Sequence, residues 1–186
     1  MNLESTPLDG VFVAHSKPHF DTRGSFTRLF CDRELDAVLG NRRVMQINHS
    51  RTAKRGTIRG LHYQRPPHAE MKLIRCLRGI VWDVALDLRA GSPTFLRWHA
   101  VELTSENAAM LIIPEGCAHG FQTLSADCEL LYLHTAPYVP DAEAGVAWND
   151  GSIAIRWPLT LPERDGMSDR DLSLPQLPRE FAGIHA

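Results

Sequence analysis

From Val44 to Thr135 the chain repeats one pattern: a short β-type run closed by a turn signal. The runs are Val44–His49, Thr57–Gln64, Met71–Leu77, Ile80–Leu88, Phe95–Leu103, Ala108–Pro114, His119–Leu124 and Cys128–Thr135. Arg65-Pro66-Pro67, Arg78-Gly79, Gly91-Ser92-Pro93 and Gly116 punctuate them. In Ile80–Leu88, Trp82, Val84 and Leu86 alternate with Asp83, Ala85 and Asp87, the period of a strand with two unlike faces. Asp32–Leu39 carries the one clear helix signal of the first half, with Asp32 placed as N-cap and Gly40 past the end. Turns every ~8–12 residues and little helix predict a mainly β sandwich or barrel with a few short helices. The 186 residues suit a single domain, 1–186, with its core at about 8–157 and a loop-rich tail at 158–186. The strand Val11–Val13 is a candidate free edge.

Formal net charge is -2, which points to neither nucleic acid nor an acidic membrane surface. No run approaches the ~18 apolar residues of a membrane span. Met1–Gly10 is polar, unlike a secretory leader. Cys31, Cys76, Cys117 and Cys128 show no CxxC spacing, and Cys76 and Cys117 sit in apolar runs as core thiols, so a reducing cytoplasm is expected.

Chemistry concentrates in Arg59-Gly60-Leu61-His62-Tyr63-Gln64, followed by Lys72, and in Pro114-Glu115-Gly116-Cys117-Ala118-His119. The second segment resembles the later histidine motif of the cupins, small jelly rolls with a site in the barrel mouth. Metal-binding cupins carry a His-x-His pair in their first motif; here Gln64 stands in place of the second histidine. Three protein ligands in good geometry are the usual requirement, and His62 and His119 would have to recruit Glu70 or His68. Lys72 shares a strand face with Ile74 and Cys76, and Arg75 the opposite one with Leu73 and Leu77. Period alone leaves open which face is inward. Arg59 and His62 are three apart, which puts them on opposite faces of a regular strand. Gly60 permits a bulge that brings both to one side.

A more specific likeness covers roughly residues 8–171. It is carried by Phe20-Asp21-Thr22-Arg23-Gly24, Gln46-Ile47-Asn48-His49-Ser50-Arg51, Arg59–Gln64, Lys72 and Arg78–Arg89. Gly91-Ser92-Pro93-Thr94, Pro114-Glu115-Gly116, Ala118–Gln122, Leu131-Tyr132 and Glu143 before Gly145 continue it. In this order and spacing the chain resembles the dTDP-4-dehydrorhamnose 3,5-epimerase family. The resemblance implies a cupin-type jelly roll (a double-stranded β-helix), a homodimer, no metal or organic cofactor, and a nucleotide-diphosphate sugar as substrate. The implied reaction inverts C3, C5 or both of a nucleotide-linked 4-keto-6-deoxyhexose through an enolate.

By motif, His62 is the base, Lys72 the cation at the enolate oxygen and Tyr132 the acid on the opposite face. Asp171, in Ser168-Asp169-Arg170-Asp171, is the carboxylate that holds the His62 tautomer, with Asp169 and the distant Asp83 as alternatives. Arg23, Gln46, Asn48, Arg59, His119, Glu143 and Arg170 match substrate-binding positions. Phe20, Phe26 and Tyr138 are candidates to stack on a base or cover the sugar. Arg28 stands near a position where the family commonly has Glu, and Ile47 where an acidic residue is common, which leaves the nucleotide open. A C3-only or C5-only epimerase on a CDP-linked sugar, a metal-dependent cupin, and a sugar-nucleotide binding module without catalysis remain the alternatives.

Overall fold

The computed structural model describes residues 1–160 and 166–185. Among the described residues, thirteen strands and two α-helices follow one another. The strands are β1 (Asn2–Ser5), β2 (Phe12–His15), β3 (His19–Asp21), β4 (Gly24–Phe26), β5 (Gln46–Thr52), β6 (Ile58–Gln64) and β7 (Lys72–Arg78). They continue with β8 (Ile80–Asp87), β9 (Trp98–Thr104), β10 (Ala109–Ile113), β11 (Cys117–Thr123), β12 (Cys128–His134) and β13 (Glu143–Gly145). Helix α1 is Asp32–Leu39 and α2 is Asp169–Leu172.

Two antiparallel sheets face each other, ordered β1-β2-β10-β7-β12-β5 and β13-β6-β11-β8-β9. From β5 onward the strands pass back and forth between the sheets, except that β8 and β9 are neighbours in one sheet, the jelly-roll arrangement. Ile74, Cys76, Leu111 and Leu130 of the first sheet meet Val81, Ala85, Leu103 and Phe121 of the second in the interior core. Each sheet is also covered on its outer face. Leu35 and Leu39 of α1 pack on Leu73, Met110, Ile112 and Leu133 behind the six-stranded sheet. Trp157, Leu177, Phe181 and Ile184 of the C-terminal segment pack behind the five-stranded one, against Leu86, Trp82 and Trp98. Trp82 sits edge-on to both Trp98 and Trp157, with centroids 5.6 and 5.7 Å apart. Burial on both faces explains why Ala109–Ile113 reads as an unbroken apolar run.

Several expected features change in the structure. Residues 2–5 form β1, which covers the edge of β2, so Val11–Val13 is no free edge. Ser25–Phe30 shrinks to β4, half of a small hairpin with β3. Cys31, not Asp32, is the N-cap of α1 and makes no side-chain cap bond. Leu177, Phe181 and Ile184 of the described part of the tail pack behind the five-stranded sheet.

The direction of β7 settles its inward face. Ile74 and Cys76 lie in the interior core and Leu73 lies under α1, so Lys72 points inward. Arg75 is buried on the opposite face, where its guanidinium donates to the Ala108 carbonyl at 2.6 Å and to Ser16 Oγ at 2.8 Å.

Strand β6 carries the expected irregularity. Against β11, His62 pairs with His119 but Arg59 pairs with Phe121, so β6 spends one residue more than its neighbour. Gly60 has φ +115°, and a Cβ there would lie 2.5 Å from Gly120 Cα and 2.7 Å from the His119 carbonyl. Only a glycine pair allows this approach. The bulge turns Arg59 to the side that His62 faces.

Asp87 ties the loop after β8 to the sheet. Its carboxylate accepts from Arg89 Nε at 2.9 Å, Ser92 Oγ at 2.5 Å and Thr94 Oγ1 at 2.7 Å. Burial pushes this carboxyl up, but the bonds from Arg89, Ser92 and Thr94 outweigh it and hold the group at about 2.

Two measurements test these constraints. Gly60→Ala is expected to lower unfolding stability by about 1–3 kcal/mol through overpacking and an unfavourable φ; an unchanged urea midpoint would contradict the close approach. For Asp87, a folded-state pKa below the ordinary 3.8 means its contribution is full above that pH and fades as pH falls toward about 2. The contribution is about 2 kcal/mol. Melting curves of wild type and Asp87→Asn should therefore differ by roughly 5 °C near neutrality and converge toward pH 2.

Candidate active site

A cavity of about 720 Å³ opens between the sheets, walled by β5, β6, β7, β11 and β12 and closed on one side by β13 and the segment around α2. It holds His62, Lys72, His119, Tyr132 and Asp171, which were separated by up to 109 positions in the chain.

His62 Nε2 lies 2.7 Å from Asp171 Oδ1. The contact is short but lacks the N–H geometry of a full hydrogen bond. Asp171 is placed by its own short helix. Ser168 is the N-cap: its Oγ accepts from the Asp171 amide at 3.1 Å and donates to Asp171 Oδ2 at 2.9 Å. Burial pushes the Asp171 carboxyl up, yet His62 and Ser168 together hold it below its ordinary value, so it meets the imidazole as a carboxylate. A tautomer that carries its proton on Nε2, beside Asp171, leaves the ring lone pair on Nδ1. Asp169 is exposed on the outer side of the same turn. Asp83 is engaged elsewhere: its Oδ1 lies 2.8 Å from His119 Nε2, and both side chains are buried.

Tyr132 is inward on β12, edge-on to the His119 ring at 5.8 Å between centroids. Burial first, and then the Asp83 carboxylate, push its phenol above the ordinary range and keep it protonated. Lys72 is held by a Glu70 carboxylate oxygen, and the other oxygen of Glu70 accepts from the Gln64 amide. Gln64 is itself pinned: its Nε2 also donates to the His68 and Pro137 carbonyls, and its Oε1 accepts from the Val139 amide at 2.6 Å. The position where a metal cupin has a histidine thus serves the scaffold, and His68 is exposed in a turn. Among the described residues no three His, Cys, Asp or Glu side chains converge as a metal site.

Toward the mouth the lining becomes basic, with Lys54, Arg59 and Arg170. Arg170 pairs with Glu143, whose second oxygen accepts from the Tyr138 hydroxyl at 2.7 Å. Asn48 lines the β5 wall, with Nδ2 at 3.5 Å from His134 Nε2.

Two expected binding residues are not brought to this cavity. Arg23 sits on the exposed β3–β4 hairpin and pairs with Asp21 at 2.5 Å. Gln46 uses its side-chain oxygen to accept from the Tyr138 amide at 3.0 Å, so it anchors the loop behind the site. Phe20 and Phe26 flank Arg23 on the same hairpin, and Arg28 pairs with Glu34 beside α1. Conversely, Ser50, Glu70 and His134 line the cavity without having been singled out as binding residues. Period two would have found His134 from Tyr132 and Ser50 from Asn48, once the inward face was known.

The family model for dTDP-4-dehydrorhamnose 3,5-epimerase matches residues 5–179. The dTDP-4-dehydrorhamnose 3,5-epimerase of Salmonella typhimurium is 42% identical over 179 residues, covering 95% of this chain and 96% of its own. The Legionella pneumophila epimerase solved with dTDP-4-keto-L-rhamnose superposes with a TM-score of 0.90 at 35% identity, covering 100% of this chain and 98% of that one. ChmJ, a 3'-monoepimerase from Streptomyces bikiniensis solved with dTDP-quinovose, gives 0.84 at 31% identity, over 92% of this chain and 85% of that one. With its jelly-roll fold and the matched length together, the chain belongs to the dTDP-4-dehydrorhamnose 3,5-epimerase family.

Proposed function

We propose that this protein epimerises a nucleotide-linked 4-keto-6-deoxyhexose at C3 and C5, as a step in deoxysugar biosynthesis. One observation carries the reading: His62, backed by Asp171, shares a single cavity with Lys72 and Tyr132. A neutral imidazole accepts the proton from a carbon beside the ketone, and Asp171 stabilises the imidazolium that results. Electrons move onto the ketone oxygen, where the Lys72 ammonium stabilises the enolate. Tyr132, kept protonated by burial, returns a proton from the other face, and the configuration inverts. All three roles fall to side chains, so the reading needs no cofactor. The basic mouth suits a diphosphate, and the epimerase relative with a bound dTDP-sugar supports dTDP as the nucleotide.

Two features support a homodimer. Phe20 and Phe26 are 78% and 75% exposed on the β3–β4 hairpin, and Met45 and Ile47 are 62% and 61% exposed at the β5 edge. A second copy covering this apolar surface would bury them, and it offers Arg23 a cavity other than its own chain's. Four free thiols agree with a reducing cytoplasm, and among the described residues no helix is long and apolar enough to cross a membrane.

The decisive assay follows solvent deuterium into C3 and C5 of dTDP- and CDP-linked 4-keto-6-deoxyglucose. Label at both carbons is expected with the dTDP sugar. Label at C3 alone would assign the narrower activity of the ChmJ type, and no label from folded protein would defeat the proposal. His62→Ala should lose exchange by about 10²–10⁴-fold while calorimetric dTDP affinity holds within about 3-fold. Asp171→Asn should slow exchange by roughly 10–10³-fold, Asp169→Asn hardly at all, because only Asp171 reaches the imidazole.

A further inference from the structure

Base, acid and cation account for three groups in the cavity, but its inner end carries two more polar side chains beside Lys72. Glu70 and His134 come from β7's approach and from β12, and their side chains are only 5% and 13% exposed. A carboxylate has about four lone-pair sites. Glu70 spends two, on the Lys72 ammonium and the Gln64 amide, and it still lines the cavity. His134 is less well served. Its Nδ1 is 3.9 Å from Glu70 Oε1, too far for a hydrogen bond. Its Nε2 is 3.5 Å from the Asn48 amide, at the outer limit. Burial, with Lys72 and His119 nearby, pushes the imidazole down to about 4, so it is neutral, with one N–H and one lone pair. A buried polar ring with neither nitrogen at normal bonding distance, aimed into a cavity, marks a place where a ligand completes the bonds.

The three groups form a set with one chemical complement. Lys72 donates, Glu70 accepts, and neutral His134 can donate or accept. Because Glu70 and Lys72 touch, the ligand atoms they meet must be neighbours. A ketone oxygen beside a hydroxyl meets that demand: the ketone takes the ammonium, and the hydroxyl donates to Glu70 and accepts from His134. In a 4-keto-6-deoxyhexose, C5 bears a methyl, so C3 carries the only hydroxyl next to the ketone.

We propose that Glu70 and His134 form, with Lys72, a wall that reads the C3 hydroxyl of the sugar and thereby fixes which way round the ring enters. This rests on the epimerase reading above and adds the substituent that the enzyme selects. A site built to bond a hydroxyl rejects an analogue without it far more strongly than an apolar pocket rejects an extra one.

The test compares dTDP-4-keto-6-deoxyglucose with its 3-deoxy counterpart, following deuterium uptake at C3 and C5, in wild type and in His134→Ala and His134→Asn. His134 makes no bond to Lys72, so its replacement leaves the cation's Glu70 anchor in place. In wild type, kcat/KM is expected to favour the 3-hydroxy sugar by at least about 10²-fold. His134→Ala should bring that ratio below about 10, with His134→Asn between, since Asn keeps a donor. A wild type indifferent to the hydroxyl would overturn the proposal without any variant. So would a ratio preserved in His134→Ala, which would mean a general loss of catalysis or folding in place of lost recognition. Absence of uptake from both sugars in wild type would overturn the epimerase reading itself, and this one with it.

Discussion

The close approach of two glycine backbones, Gly60 on β6 and Gly120 on β11, is the constraint on which the site depends. Strand geometry sends side chains three apart to opposite faces. A chain that needs both Arg59 and His62 in one cavity must break that rule, and it breaks it where neither strand has a Cβ. The extra residue of β6 is the result. The next anchor follows from it, because Gly145 of β13 lies against the Leu61 carbonyl with equally little room. The segment bearing Asp171 packs just beyond, where Leu174 fills the space beside Gly145.

Around that constraint each interior carboxylate has a basic partner. His62 faces Asp171, His119 faces Asp83, and Lys72 faces Glu70. A charge buried alone would cost far more than the fold can supply, and pairing makes the cavity tolerable. Pairing also sets the chemistry. Each carboxylate helps fix its basic partner, so little reorganisation is left for the reaction itself. The same dry surroundings that require the pairs keep Tyr132 protonated and His134 neutral. At the mouth, where water screens, the charges are looser, and Arg59, Arg170 and Lys54 can meet an incoming diphosphate.

The closed outer faces of the sheets explain why some strands were easier to recognise than to orient. Ile80–Asp87 alternates cleanly, yet both of its faces are buried, so alternation alone named no inside. The inward face of Lys72 is set by Ile74 and Cys76 lying in one core and Leu73 in another. Glu70, a candidate only as a metal ligand, and His134 carry no binding signal in the sequence for a related reason. Each is an ordinary polar residue near a strand end, and only their meeting across β7 and β12 makes them a site.

Through its family resemblance the amino-acid sequence marked His62, Lys72, Tyr132 and Asp171; what it determined by itself was local: strand after strand, the turns between them, one helix and the glycine that licenses a bulge. Those are properties of neighbouring residues, and short-range sterics and periodicity are enough to express them. Tertiary structure decided the pairings. It gave Asp171 and not Asp83 to His62, sent Asp83 to His119, put Lys72 on Glu70, kept Gln46 behind the wall and left Arg23 on an exposed hairpin. Such choices depend on which strands become neighbours across two sheets, and on the burial that makes an unpaired charge too costly to leave, neither of which is written at any single position.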